Sequence, residues 1–124
     1  MAERTLRKRA GHVKVAIVRP SIIGCCLEDP VPGWTDTLAA AGGMILALSL
    51  GVIHFVKVKT DGVMDLIPAD YCSNIIVAAA VFRARDEGSE VMVIHSASSE
   101  HSPCAIENIR KGFMNYIERH PYVK

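Results

Sequence analysis

The tyrosines are the residues best suited to give a proton to a reacting carbonyl group, and their neighbours decide whether they can. A tyrosine acid of this kind needs a lysine four residues later on the same helix face, because the ammonium group lowers the pKa of the phenol. The fourth residue after Tyr71 is Ile75, and the fourth after Tyr116 is His120. Tyr122 has no lysine at that spacing either. We therefore predict no catalytic residue in this sequence.

Other motifs with a defined chemical mechanism are also missing. The nine glycines never form G-x-G-x-x-G, the turn that lets backbone approach a pyrophosphate, and neither a P-loop nor a G-x-S-x-G turn occurs. The four cysteines contain no C-x-x-C pair, and no two of the five histidines lie three to five residues apart. We predict no metal site, and free thiols indicate a reducing compartment.

The composition is that of a small protein with an apolar core. With 124 residues, of which 50% are hydrophobic and 22% charged, the chain is long enough for one compact domain. A net charge of +1 gives no general attraction to nucleic acid, so we expect no nucleic-acid partner. Six of the first 19 residues are cationic and one is acidic, which indicates a solvated helix face or, alternatively, an organelle-targeting signal. We expect no secretory leader, because no apolar segment follows the start.

The first part of the chain alternates helix-forming and strand-forming segments. Good helix formers run from Met1 to Arg9 and stop before Gly11, and β-branched residues at Val13–Val18 predict a buried strand ended by Arg19-Pro20. Residues 24–36 are rich in proline and glycine and predict an irregular loop. The uncharged run from Thr37 to Ile53 approaches the length of a membrane helix, but its glycines and alanines favour an ordinary buried segment.

The later part predicts two short strands, a helix, a strand and a final helix. Their expected bounds are Ile53–Val58, Val63–Ile67, Ala69–Arg85, Glu90–His95 and Cys104–Arg119. The Asp61-Gly62 turn indicates that the first two strands form a hairpin or lie side by side. Pro68 opens the middle helix, while Ser102 and Pro103 are expected as the N-cap and first-turn residues of the last helix. This order predicts an α/β fold.

Three motifs occur in an order typical of one family. They are R-P-S-I-I-G at 19–24, P-V-P-G-W-T-D at 30–36 and D-L-I-P-A-D at 65–70. From Ala2 to about Pro121, the chain resembles the later half of the reductase domain of alcohol-forming fatty acyl-CoA reductases, which are relatives of extended short-chain dehydrogenases. The resemblance implies a Rossmann-like α/β fold, with a mixed or parallel sheet and helices, whose N-terminal strands are missing. Residues 1–124 are then a single partial domain.

The resemblance also implies a reaction and binding residues. The family reduces long-chain acyl-CoA with NADPH, first to the aldehyde and then to the alcohol. The segment beside the nicotinamide would be Pro20, Ser21, Ile22 and Ile23. The loop near the acyl group would include Pro32, Gly33 and Trp34. Two simpler interpretations remain open: Arg19-Pro20 only ends a strand, and Trp34 only packs in the core. For Asp70 we favour a structural role, and Arg19 is expected to pair with an acid.

The missing motifs limit what this chain does by itself. Without the glycine-rich turn and the Tyr-x-x-x-Lys pair, we expect it to bind no NADPH and to be inactive alone. One alternative is a non-catalytic structural subunit that docks a strand edge onto a protein partner. Another is peripheral membrane association through the Thr37–Ile53 run. We expect an intracellular location, in the cytoplasm or on the peroxisomal or endoplasmic reticulum membrane.

Overall fold

The computed structural model describes residues 2–39, 41–88 and 90–121, and those ranges contain four helices and six short strands. In chain order these are α1 (Ala2–Arg9), β1 (Ala16–Pro20), β2 (Ile22–Gly24), α2 (Ala41–Ser49), β3 (Val63–Met64), β4 (Leu66–Pro68), α3 (Ala69–Arg85), β5 (Met92–Ser96), β6 (Cys104–Ala105) and α4 (Ile106–Arg119). The predicted α/β fold is confirmed.

The strands form three pairs, two of which are parallel. Strand β1 pairs with β5, from Ala16 opposite Met92 to Pro20 opposite Ser96. Strand β2 pairs in parallel with β4, and β3 pairs in antiparallel fashion with β6. Parallel neighbours need a crossover connection, and α3 lies in the connection between β1 and β5. The mixed, mainly parallel pairing agrees with the predicted Rossmann-like arrangement.

Helix α3 is the central element, because it contacts β1, β2, β4 and β5. It runs from Ala69 to Arg85, the bounds that the sequence predicts. Its buried residues are Cys72, Ala79 and Arg83, and together with Cys26 and Ile67 they form the small interior. Most other apolar residues of the helix are exposed, so α3 presents apolar surface on more than one side.

The predicted strand at 53–58 is wrong. These residues are exposed, with Phe55 88% accessible, and they belong to no strand. Val63–Met64 pairs instead with Cys104–Ala105, which lies far away in the sequence. A β-rich segment becomes a strand only where it can pair with a neighbouring strand. Here β6 pairs with β3 in the position that residues 53–58 would occupy in a hairpin.

The predicted start of the last helix is wrong for the same reason. Because Cys104 and Ala105 belong to β6, the helix begins at Ile106 with Ala105 as its N-cap, and no side chain caps it. The N–H of Ile106 donates to the carbonyl of Gly62 at 3.0 Å, which takes the place of the expected cap by Ser102.

The remaining differences concern element ends. Strand β1 begins three residues later than predicted, because the N–H of Val13 closes a turn onto the carbonyl of Ala10. It includes Pro20, which has no backbone N–H and is tolerated at a strand end where the ladder needs no donor. The predicted strand Val63–Ile67 divides at Asp65 into β3 and β4.

The uncharged run from Thr37 to Ile53 contains a helix of nine residues, α2. Among the helices within residues 2–39, 41–88 and 90–121, none has the length and apolar character needed to cross a membrane.

Candidate functional site

The carboxyl ends of the parallel strands β1 and β5 meet at one edge of the fold, where β2 and β4 begin. Ser21 connects β1 directly to β2, and its N–H donates to the carbonyl of Ser96, the last residue of β5, at 2.9 Å. Strand β4 ends at Pro68, and α3 follows with no intervening loop. In open parallel sheets, ligands bind at the carboxyl ends of the strands. This edge is therefore the candidate site.

The carboxylate of Asp65 connects the segments that meet at this edge. Its carboxylate accepts the backbone N–H of Ser98 at 3.0 Å and the hydroxyl of Ser99 at 2.8 Å. The Ser98 hydroxyl donates to the carbonyl of Leu66 at 2.6 Å, and the N–H of Ile22 donates to the Asp65 carbonyl at 3.1 Å. The Ser98 N–H and the Ser99 hydroxyl hold the pKa of Asp65 below its usual range. One carboxylate thus joins the loop after β5 to the start of β4.

Two buried hydroxyl groups lie at this edge, those of Ser21 and Ser96. The Ser21 hydroxyl faces the Asp65 carboxylate and helps to lower its pKa, whereas the Ser96 hydroxyl has no hydrogen-bond partner in the described part of the chain. Ser96 is 1% exposed, the lowest value among the described residues whose exposure is given. Buried polar groups are usually hydrogen-bonded, so the Ser96 hydroxyl is available to a polar group of a ligand at this edge.

Asp70 holds the loop that follows β2. Its Oδ1 accepts the N–H of Leu27 at 3.1 Å, and its Oδ2 accepts those of Glu28 at 2.9 Å and Asp29 at 3.2 Å. Desolvation raises the pKa of Asp70, but these N–H groups outweigh it and lower the pKa to about 2. The expected structural role is confirmed, and its main partners are amides of a distant loop.

The loop held by Asp70 carries the single tryptophan. The N–H of Cys26 donates to the carbonyl of Trp34 at 2.9 Å, and the N–H of Gly33 donates back to the carbonyl of Cys26 at 2.8 Å. Gly33 has a φ of +81°, a conformation that side chains disfavour. Trp34 is 43% exposed and lines an open cavity of about 300 Å³ against the first turns of α3. The interpretation of Trp34 as a core residue is therefore wrong.

The residues matched to the nicotinamide segment lie together at the edge. Pro20 ends β1, Ser21 follows it, and Ile22 and Ile23 form β2 with 41% and 46% of their surface exposed. Of the residues matched to the acyl loop, Trp34 lines the 300 Å³ cavity, whereas Pro32 and Gly33 are exposed parts of the loop outside its lining. The residues matched to the nicotinamide segment therefore lie at the end of β1, and Trp34 lies in a separate cavity beside α3.

Arg19 pairs with an acid, as expected. Its Nε donates to Oε1 of Glu3 at 2.8 Å, its Nη2 contacts Oε2 of the same carboxylate, and its Nη1 lies 3.3 Å from Nε2 of His95. The hydrogen bonds from Arg19 hold the pKa of Glu3 below its usual range. This pair ties α1 to β1 next to the candidate site.

Several residues of these two places were not singled out from the sequence. They are Ser98 and Ser99, which donate to Asp65, and Asn74, which lines the cavity beside Trp34. Three serines within residues 96–99, at the end of a predicted strand, were the only available signal for the first pair. Over the described residues, no group of three or more His, Cys, Asp or Glu side chains could hold a metal ion.

The fold and the site define a class: an α/β protein with a parallel-strand edge of the dinucleotide-binding type. Comparison with known sequences identifies the family within this class. Residues 1–76 match the NAD-binding family described as male sterility protein. This chain belongs to that family.

Curated relatives carry a consistent name. Fatty acyl-CoA reductase 2 of Mus musculus is 31% identical over 122 residues, which are 98% of this chain and 24% of that protein. Fatty acyl-CoA reductase 2 of Bos taurus is 33% identical over 84% of this chain and 20% of its own length. Fatty acyl-CoA reductase 1 of Rattus norvegicus is 28% identical over the whole chain and 26% of its own length. The chain thus spans about a quarter of each relative.

Proposed function

We propose that this chain is a partial reductase domain that contributes to the NADPH-dependent reduction of long-chain acyl-CoA to fatty alcohol. The proposal combines the family membership with the names of the relatives. Residues 1–124 act as a single unit within a larger reductase site.

One observation carries the proposal. The segment matched to the nicotinamide neighbourhood, from Pro20 to Ile23, lies at the carboxyl ends of the parallel strands β1 and β5, beside the buried hydroxyls of Ser21 and Ser96. A carboxamide offers both a donor and an acceptor to such groups. These residues fit the nicotinamide end of the cofactor, and the bound nicotinamide would supply the hydride. Nothing in the sequence fits the pyrophosphate, because it has no glycine-rich turn.

The reaction therefore needs groups from another polypeptide segment. This chain has no Tyr-x-x-x-Lys pair, whose loss costs on the order of 10²–10⁴ in rate. Strand β1 has one strand neighbour, β5, in the described ranges, so its other edge is open to pairing with a strand of a protein partner. The chain by itself should neither bind NADPH tightly nor consume it.

The test is complementation with the part of a relative that precedes the matched segment. The 124-residue chain is coexpressed with that part of the mouse reductase, and NADPH consumption is followed with a long-chain acyl-CoA. We expect consumption from the pair and none from either piece. Tight NADPH binding by the chain alone, or a correctly folded complex without consumption, would contradict the proposal.

A non-catalytic structural subunit is the second candidate. The exposed apolar residues of α3, among them Ile76, Val77 and Phe82, favour it because such a surface suits a permanent protein contact. A complex that forms but never reduces acyl-CoA would support this candidate instead.

The proposed location is a reducing intracellular compartment, either the cytoplasm or the surface of a peroxisomal or endoplasmic reticulum membrane. Peripheral binding would use exposed apolar residues such as Val52 and Phe55. Sedimentation with phospholipid vesicles at high salt checks this, because binding through apolar residues persists when charges are screened. Loss of sedimentation under those conditions would rule it out.

A further inference from the structure

The 300 Å³ cavity lies where the loop after β2 meets the first two turns of α3. Its lining residues are Cys26, Asp29, Pro30, Trp34, Ala69, Asp70, Ser73 and Asn74. The volume is at the small end of the range for small-molecule sites, roughly 300–1,000 Å³. The cavity is also separate from the buried serines at the end of β1, which line neither of the two cavities found beside α3. It therefore suits a part of a ligand other than the nicotinamide.

The charge of the lining disfavours anionic ligand groups. None of the eight lining residues is cationic, and two are acidic. Asp70 uses both oxygens on loop amides, while the Asp29 side chain makes no hydrogen bond or ion pair in the described ranges. A phosphate or pyrophosphate would face these carboxylates without a counter-charge. The lining therefore disfavours an anionic occupant, and a neutral one meets no unpaired charge of its own sign.

The unused polar groups specify the occupant further. The carboxamide of Asn74 and the indole N–H of Trp34 form no hydrogen bond within residues 2–39, 41–88 and 90–121, whereas the Ser73 hydroxyl already donates to the carbonyl of Ala69. Asn74 offers both a donor and an acceptor, which is the complement of a secondary amide. The ring of Trp34, Pro30 and Ala69 supply apolar walls. A plain hydrocarbon chain would leave the Asn74 amide without a partner.

We infer that this cavity holds the pantetheine arm of a coenzyme A thioester, with Asn74 paired to one of its amides and Trp34 packed against its methylene groups. The arm is neutral, alternates methylene groups with two secondary amides, and separates the thioester from the charged nucleotide. The identity of the thioester rests on the proposed function. This inference assigns Trp34 to the arm of the substrate instead of to its acyl chain.

The single tryptophan makes the test specific to this cavity. Because Trp34 is the only tryptophan, the fluorescence of the 124-residue chain reports on its surroundings alone. The chain is titrated with pantetheine, with octanol as an acyl-chain probe and with inorganic pyrophosphate as a charge probe. We expect a saturable change with pantetheine only. A saturable response to octanol without one to pantetheine, or no response to pantetheine, would overturn the inference.

Two asparagine variants test the amide contact. Asn74→Ala should weaken pantetheine binding about 3- to 10-fold, the usual effect of removing one neutral hydrogen bond. Asn108→Ala is the matched control, because Asn108 is exposed on α4 and outside the cavity. Circular dichroism checks that both variants keep the fold of the parent. Equal affinity of the parent and Asn74→Ala would contradict the assignment of Asn74.

The inference and the proposed function fail in different ways. If the chain binds pantetheine but the complemented reductase consumes no NADPH, the result supports the cavity assignment and contradicts the reductase function. If the reductase is active and Asn74→Ala leaves its KM for acyl-CoA unchanged, the function stands and the cavity assignment falls.

Discussion

Two aspartates hold loops that are distant in the sequence at the candidate site. Asp70 accepts three consecutive backbone N–H groups from the loop after β2, and Asp65 accepts from the loop after β5. Hydrogen bonds to a carboxylate are stronger than those between neutral groups, so a single side chain can order a loop that has no strand partner. The position of Trp34 therefore depends on a residue of α3.

Replacing Asp70 tests this dependence directly. In Asp70→Asn the side chain keeps its shape but turns an NH₂ group toward N–H donors, so we expect the loop at 26–34 to loosen. Limited proteolysis of the loop should become about tenfold faster, since cleavage follows the population of the open form. Asp36→Asn is the control, because Asp36 is exposed and makes no hydrogen bond or ion pair in the described part of the chain. Equal cleavage of all three proteins would contradict the role of Asp70.

The low pKa of Asp70 predicts a response to acid. The pKa is about 2 in the folded chain and about 3.9 in an unfolded one, so the carboxylate stabilises the fold fully above pH ~4. That contribution decreases as the pH falls from about 4 through about 2, because the protonated group loses its attraction for the loop amides. The fluorescence of Trp34 should change over this interval in the parent and be nearly constant in Asp70→Asn. The same titration in both proteins would show that another group controls the loop.

At the scale of elements, α3 is fixed to the sheet by a buried arginine near its end. The Nε of Arg83 donates to the carbonyl of Val15 at 3.2 Å, and its Nη1 donates to the carbonyl of Gly88 at 2.8 Å and to Oδ2 of Asp86 at 3.0 Å. Arg83 is 3% exposed, so these bonds are shielded from water. They join the helix end to the residue before β1.

Removing this arginine should destabilise the fold. Arg83→Ala removes the side-chain donor of the Gly88 carbonyl, leaves the Val15 carbonyl with only the N–H of Met92 and creates a void. We expect a loss of about 2–4 kcal/mol in the free energy of unfolding. Arg85→Ala provides the comparison, because Arg85 is exposed on the same helix and should change stability by less than about 0.5 kcal/mol. Urea denaturation followed by circular dichroism measures both. A loss of similar size in the two variants would exclude a special role for Arg83.

Sequence patterns predicted both ends of α3 correctly but failed to predict most of the short strands, and the difference has a physical cause. A helix makes its hydrogen bonds within itself, so residues 69–85 contain the information for its bounds. A strand needs a partner, and nothing in Val63–Met64 indicates that it pairs with Cys104–Ala105 instead of Ile53–Val58. The same limit applies to the site. Family motifs led to Pro20–Ile23 and Trp34, but the contacts made by Asp65, Ser98 and Asn74 depend on packing between distant segments.

At the scale of the whole molecule, the chain leaves an apolar face and a strand edge uncovered. A cavity of about 430 Å³ lies between β1 and α3, lined by Ala16, Val18, Ile76 and Ala79 among others. The sheets within the described ranges have two strands each, fewer than usually needed for independent stability. Since the chain also covers about a quarter of its relatives, we expect this face to bind the rest of a reductase domain.

A charged residue on this face should prevent that assembly. Ile76 lines the 430 Å³ cavity and is 51% exposed, so Ile76→Asp puts a carboxylate where the partner must pack while remaining hydrated in the free chain. We expect at least a tenfold loss of copurification with the preceding segment of the mouse reductase. Phe55→Asp is the control, because Phe55 is 88% exposed and lies outside every helix and strand. If Ile76→Asp assembles as well as the parent, or Phe55→Asp fails to assemble, the partner binds elsewhere.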